Sequence, residues 1–466
     1  MRTLITYCRA GQFLLQLCYG RPTGERTGNR RRLTTPCSVL GRKAPRSSFC
    51  PGLLIAGFVL AGGNAFAQGE SAMPFLLLTP FAEANGMGEA SVGNHTDDPL
   101  APMVNPAHLG MLARHTWFSF GYNYTNRLPL FQQSDLSLQT FAFNGGVNLK
   151  KLDENLPPVS IGLGFSRLYL DLGEFVRMST SGPEPIGTYE AWESSNQFTA
   201  GIEVDFWIRA AAGVTFRSVT SHLSPVGTEQ EPGVGEAEAT LHDVGFLVDI
   251  PLVGIVSELM GEPIEPIPSI FPYFDWSFGV ARNNLGQESI TYIDSAQADP
   301  LPRQARAGMG LGFGVQFRKE TLDWRIIGLK WTIEASDLLV RRNAEGWKYQ
   351  EGLGDIRFFD EVILGRTNSE TEKRSGWEVS LLEILSLRGG RYEEDPMRGN
   401  RRFTTTGWGV RLAGIPKLLR ALDVPLGGEG IAGFLLAHLD VRFDSSQRTH
   451  PLLDDRFDSV CLVITN

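Results

Sequence analysis

Cysteine is nearly absent from most of this chain. Cys8, Cys18, Cys37 and Cys50 fall in the first fifty residues, and only Cys461 follows. A disulfide framework or a cysteine-based metal centre is thereby excluded for the remaining body, and Cys461 reads as an unpaired thiol without a role. Long apolar runs are missing as well. No stretch reaches the ~18 consecutive apolar residues of a spanning helix, so a chain of this kind can cross a membrane only as a closed barrel. The seven histidines, at 95, 108, 115, 222, 242, 438 and 450, lack ligand spacing and read mostly as surface or loop residues. H-E-x-x-H, G-x-S-x-G and phosphate-cradling loops do not occur. We therefore expect no catalytic residue, no cofactor and no metal, and not an enzyme. A net charge of -9 argues against a nucleic-acid partner. With 20% charged and 42% hydrophobic residues the chain is neither disordered by composition nor a helical membrane bundle.

What is present begins with an export signal. Arg42, Lys43 and Arg46 precede an apolar run from Gly52 to Gly63, which ends in Asn64-Ala65-Phe66-Ala67. A basic end, a short apolar core and small residues two apart describe a secretory signal peptide cut before Gln68. The competing reading, an N-terminal membrane anchor, has too short an apolar run. Residues 1–67 are thus an N-terminal extension with a signal peptide, and an outer-membrane destination follows if the body is a barrel.

The body alternates. Phe118, Phe120, Tyr122 and Tyr124 fall on one face, with Ser119, Gly121 and Asn123 on the other. Val159–Ser166 and Gln197–Phe206 repeat the pattern, and Ala305–Phe317 sustains it for thirteen residues. Period-two alternation over such lengths describes strands with one apolar face and one small or polar face. Further strands are expected near 210–217, 242–250, 273–281, 322–335, 374–383, 384–392, 403–413 and 431–443. A soluble β-sandwich would also alternate, but long strands, aromatic outer faces and export favour an all-β, antiparallel transmembrane barrel of about 14 strands. Residues 113–443 would form it, with 444–466 as a tail or a last strand. Residues 221–239, acidic and rich in Gly and Pro, read as an exposed loop. So does charged 338–372, while 251–272 reads as a short helix and then an extended run.

Residues 68–112 do not read as strand. Asn85-Gly86-Met87-Gly88, then Asp97-Asp98-Pro99, then Asn105-Pro106-Ala107 mark close approaches and turns. An apolar, turn-rich segment before a barrel can fold back into the lumen as a hatch. The plain reading of these residues, and of Asn284-Leu285-Gly286 with Pro302, is structural: they fix turns rather than bind a ligand.

Taken in order, N-G-M-G-E-A (85–90), D-D-P, N-P-A-H-L, then N-L-G (284–286) with Tyr292 and Leu301-Pro302, resemble the PorV/PorQ family of outer-membrane proteins, itself related to FadL-type transporters. Leu387-Arg388-Gly389-Gly390 with Thr405-Thr406-Gly407-Trp408-Gly409 resembles that family's carboxy-terminal strands. The resemblance implies a fourteen-strand barrel with an internal hatch that serves type IX secretion. Its partners would be the C-terminal signal domains of secreted cargo, other type IX components and outer-membrane lipid. The alternative is a FadL-like channel for hydrophobic small molecules.

Overall fold

The computed structural model describes residues 71–125, 136–178, 184–224, 234–292, 298–319, 322–343, 346–398, 400–424, 430–449 and 454–466. The expected signal peptide and its cut before Gln68 lie outside the described residues, as do the four early cysteines and His450.

Fourteen strands close into one antiparallel barrel. They are β1 (Thr116–Thr125), β2 (Ser137–Asn148), β3 (Val159–Met178), β4 (Pro185–Asp205), β5 (Arg209–Ser224), β6 (Gly235–Pro251), β7 (Ile270–Gly286), β10 (Gln304–Lys319), β11 (Leu322–Leu338), β14 (Glu372–Leu381), β15 (Leu385–Glu393), β16 (Arg402–Arg411), β17 (Leu439–Thr449) and β18 (Asp454–Thr465). Two short pairs, β8 (Ser289–Ile290) with β9 (Asp299–Pro300) and β12 (Val340–Asn343) with β13 (Gly346–Tyr349), decorate one rim. We call that rim the crown, and the opposite rim, where β1 starts and β18 ends, the base.

Alternation dictates which face meets what. Along β1, Ser119, Asn123 and Thr125 are buried, whereas Phe118, Tyr122 and Tyr124 are exposed on the outer wall. On β4, Gln197 and Glu203 point inward and Phe198 and Ile202 outward. An exposed belt of aromatic and aliphatic side chains is the surface a lipid bilayer covers. Register is reinforced by a row of phenylalanines directly opposite one another, Phe120↔Phe143↔Phe165↔Phe198↔Phe216, across five strands. Ring centroids approach to 4.7 Å for Phe120–Phe143 and 5.0 Å for Phe165–Phe198. Each such cross-strand pair contributes about 0.2–1 kcal/mol, and a one-residue slip would turn the whole row into the lumen.

Strand length is uneven. β4 has 21 residues and β15 has 9. At ~3.3 Å per residue and a tilt of about 40°, a 21-residue strand rises roughly 50 Å, beyond the ~30 Å of hydrocarbon. The wall from β3 to β6 therefore stands proud of the bilayer at the crown. This explains one departure from expectation: 221–239 is not simply a loop, because β5 runs on to Ser224 and β6 begins at Gly235. Glu236 and Glu238 alternate with buried Ala237 and Ala239, so the acidic residues occupy the outer face where the strand stands in water.

A second departure lies before β17. The expected strand 431–443 opens with a helix, Ile431–His438, and extends only from Leu439. I-A-G-F-L-L-A is apolar at every position and carries no alternation for a sheet to use. β17 runs past the expected barrel limit of 443 to Thr449, and Asp454–Thr465 form β18, which pairs with β17 on one side and β1 on the other and so closes the wall.

Candidate functional site

The site is the interior. Residues 71–113 form no strand; short helical turns such as Ala82–Gly86 and His108–Ala113 alternate with bends. Nearly all of this segment is buried, and it touches strands all round the wall. Small inward residues make the approach possible. A Cβ at Gly201 on β4 would lie 2.6 Å from the Gly110 nitrogen, and one at Gly162 on β3 would lie 2.7 Å from the Leu109 carbonyl oxygen. Gly213, Gly279, Gly376 and Gly390, on four other strands, stand equally close to backbone of Pro106, Val92, Met87 and Gly88. The glycines of the alternating strands thus leave room for a second layer of chain.

Each expected turn residue has a definite place in this layer. Asn85 donates from Nδ2 to the carbonyls of Thr79 (2.9 Å) and Phe81 (2.8 Å) and accepts from Arg448. Thr405 on β16 bridges Gly86 and Gly88, donating to the first carbonyl and accepting from the second amide, both at 2.9 Å. Gly88 needs its φ of 69°, and Met87 beside it is buried. Asn105 donates to the Val92 carbonyl at 2.9 Å and accepts from the Ala107 amide at 3.1 Å, closing the turn across Pro106. The second group sits apart, at the crown end of β7. There Asn284, at φ 61°, donates through Nδ2 to the Pro302 carbonyl (2.9 Å) and through its amide to Asp243 (2.7 Å). Leu285 pairs with His242, and the Gly286 carbonyl accepts from Arg303 at 2.7 Å.

Charge does the rest of the docking. Arg442 on β17 reaches Glu83 (3.1 Å), Asp98 (2.6 Å) and Asp444 (2.7 Å) at once. Glu89 meets Arg448 (2.7 Å) and Arg374 (3.6 Å), and Asp97 meets Arg411 (3.3 Å). In the reverse sense Glu334 on β11, held by Arg306, accepts from the amides of Ser91 (2.8 Å) and Val92 (2.9 Å). Burial alone would raise the Glu83 carboxyl, but Lys330 and Arg442 outweigh it and hold its pKa down to about 2. Asp98 goes the other way: burial pushes it up to about 6 despite Arg442. Burial is opposed by Arg411 at Asp97, which stays well below the usual carboxylate range.

Asp98, Asp444 and Cys461 present ligand atoms within 4.8 Å of one another. The Arg442 guanidinium already serves both carboxylates and lies 3.8 Å from the Cys461 sulfur, so the group is an arginine-centred charge cluster. Not all histidines are peripheral: His108 is buried and meets the Ser91 carbonyl through Nε2 at 3.1 Å. Burial lowers its pKa to about 4.

The interior has two chemistries. Toward the crown, inward Leu138, Leu168, Leu170, Val219 and Leu241 join Phe75, Phe81, Leu100 and Met103 of the segment in one apolar cluster. Toward the base lie two cavities with charged linings. One of ≈ 110 Å³ is lined by Glu83, His95, Asp97, Lys330, Glu378 and Arg388 among others. The other, ≈ 690 Å³, opens at the base between Arg114, Arg209, Asp275, Arg325, Arg411 and Lys417. The short helix expected at the head of 251–272 is Leu252–Met260, none of it buried, and its Val253 and Ser257 line that mouth.

The anchoring charges escaped the reading of the sequence, although a signal was there: Asp440, Arg442 and Asp444 share one face of a strand at period two. A face of three charges in a membrane strand must point inward, and inside it needs partners.

No protein-family model and no curated protein sequence matches the chain. Among solved structures it is similar to the toluene transporter TodX of Pseudomonas putida, at 10% identity and a TM-score of 0.35 over 83% of this chain and 98% of that one. It is also similar to the CymD monoaromatic hydrocarbon channel (9%, TM-score 0.37, 84% and 98%) and to a Pseudomonas aeruginosa FadL homologue (8%, TM-score 0.35, 83% and 98%).

Proposed function

We propose that this chain is an outer-membrane channel that admits hydrophobic small molecules into an apolar chamber stoppered by its own N-terminal segment. The supporting observation is one side of the crown half of the lumen, where inward Leu138, Leu168, Leu170, Val219, Ala239 and Leu241 of β2, β3, β5 and β6 pack against the segment, with the one buried carboxylate of β4 there, Glu193, already bonded to Ser221. A barrel that conducted polar solutes would line this face with hydrogen-bonding groups. Residues 71–113 act as a hatch in this reading. Withdrawing Phe75, Phe81, Leu100 and Met103 without a replacement would forfeit about 1.5–3 kcal/mol for each side chain. A hydrophobic ligand entering in their place recovers that loss, so opening is coupled to the ligand. The test is uptake by vesicles reconstituted with the full chain. Toluene or a long-chain fatty acid should enter faster than into protein-free vesicles, and glucose should not. Equal rates for the apolar solutes with and without protein would sink the reading.

A second reading rests on the resemblance to PorV and on the organisation of the crown. The described residues of 338–343 and 346–372 are braced: Arg341 binds Asp337 and Asp355, both at 2.8 Å, and Arg398 reaches Asp337 at 3.3 Å. A braced platform of this kind suits docking of a folded partner, in this reading the C-terminal domain of a type IX secretion cargo. Pull-down of the tagged protein from native membranes, followed by mass spectrometry, separates the two. Exported proteins sharing one carboxy-terminal domain, with type IX components, would favour the cargo reading. Bound hydrocarbon or lipid alone would favour the channel.

A further inference from the structure

The helix Ile431–His438 is out of place for a water-facing rim. Not one of its residues is buried, and Ile431, Phe434, Leu435 and Leu436 are exposed at 80%, 40%, 41% and 41%. Ile431 to Ala437 includes no charged or polar side chain. A helix apolar on all sides has no amphipathic face to lay on a protein surface; it needs burial all round. Packing against one partner would leave its far side in water, whereas acyl chains enclose every side.

Its position supplies that solvent. At its C-terminal end the helix is tied to the base of β18, where His438 Nδ1 meets the Thr465 carbonyl at 2.9 Å and Thr465 Oγ1 donates to the His438 carbonyl at 3.1 Å. From there Phe434 and His438 stack on the outward ring of Trp117 at the foot of β1, with centroids 6.5 and 6.1 Å away. Trp117 is itself half exposed and continues directly into the outer belt through Phe118. Aromatic residues at strand ends mark the membrane interface of a barrel. The helix is therefore attached to the outer wall, on the lipid side, at interfacial height. At eight residues it is roughly 12 Å long, far too short to span. The preceding helix, Gly414–Ala421, differs: its Lys417 turns to the base mouth and pairs with Glu383 at 2.5 Å.

We propose that Ile431–His438 is an interfacial membrane helix, embedded in the leaflet at the base of the barrel beside the β18–β1 closure, with lipid acyl chains as its partner. The inference rests on the barrel's own insertion in a bilayer, so the test carries a belt control. Dansylalanine is placed at Leu435, at the belt position Phe198 and at Glu154 in an exposed base loop, each in the full chain in phosphatidylcholine vesicles. Lipid brominated at acyl carbons 6 and 7 should quench the probes at 435 and 198 several-fold more than the one at 154. Quenching at 198 but not at 435 would overturn the helix placement while leaving the barrel intact. Absence of quenching at both would overturn the two together. Because a probe can disturb the helix, unaltered protein is also photolabelled in the same vesicles with an apolar carbene reagent. Label on 431–437 is expected, and its absence alongside labelled belt peptides overturns the proposal.

Discussion

Replacing Arg442 by methionine tests whether charge anchors the internal segment. The substitution keeps much of the side-chain volume and removes the one cation shared by Glu83, Asp98 and Asp444. All three carboxylates are buried; Glu83 keeps Lys330 at 3.5 Å and Asp444 keeps Arg388 at 2.5 Å, whereas Asp98 loses the cation it contacts, and deleting one partner of such a buried pair costs about 3–5 kcal/mol because the remaining charge is left uncompensated. Two of the three acids belong to the segment, so the loss falls on docking of the segment more than on the barrel, whose wall is held by its own ladder. At 1.4 kcal/mol per tenfold, the undocked fraction should rise roughly a hundredfold to a few thousandfold. Hydrogen exchange of the full chain in detergent reads this directly. Peptides within 82–113 should lose protection by that factor, while peptides of β3–β5 keep theirs. The defect should also shrink in mild acid. Asp98 has a pKa raised to about 6 and can discharge the strain by taking a proton. Unchanged protection of 82–113 beside intact strands would refute the argument.

Three further outcomes follow from the same geometry. Gly279→Val should loosen the segment near Val92 and slow assembly of the heat-resistant folded form on electrophoresis, because any Cβ there meets the Val92 backbone; wild-type assembly and protection would count against the glycine lining. His108, buried with its pKa lowered to about 4 from an ordinary 6.5, binds a proton more readily when the segment unfolds. Its contribution is thus complete above pH ~6.5 and is lost as pH falls toward ~4, so exchange around 105–113 should accelerate over that window, and His108→Asn should flatten the difference. Asn85→Ala deletes two donated bonds to Thr79 and Phe81 and the acceptor for Arg448; about 1–3 kcal/mol of local stability should go with it, read as faster proteolysis between the segment's turns, and an unchanged digestion pattern would contradict it.

The barrel was written in the sequence because a membrane strand obeys one local rule. Each residue faces lipid or lumen by parity, so Phe118 to Tyr124 and Ala305 to Phe317 declare their outer face without any partner. Part of the turn chemistry is local in the same way, since Asn85 bonds Phe81 four residues back and Asn105 accepts from Ala107 two residues on, whereas Asn284 bonds Asp243 and Pro302, 41 and 18 residues away, beyond any local rule. Parity failed where its premise failed. Glu236 and Glu238 stand on a strand beyond the bilayer, and Ile431–Ala437 is apolar on every side, so neither stretch carried the usual signature. What faces across the lumen lay beyond local reasoning altogether. Arg442 and Glu83 are separated by most of the chain, and only closure by β18 brings β17 against the segment that precedes β1. The sequence by itself determined a closed, lipid-belted wall, since hydrogen bonding in hydrocarbon allows few other ways to satisfy alternating strands. Only the tertiary structure decided what fills that wall: apolar side chains against the crown half of β2, β3, β5 and β6, and paired charges on the strands opposite, from Arg306, Arg374 and Arg448 near the crown to Arg411 near the base, because a buried charge takes its partner from whichever strand the fold places opposite.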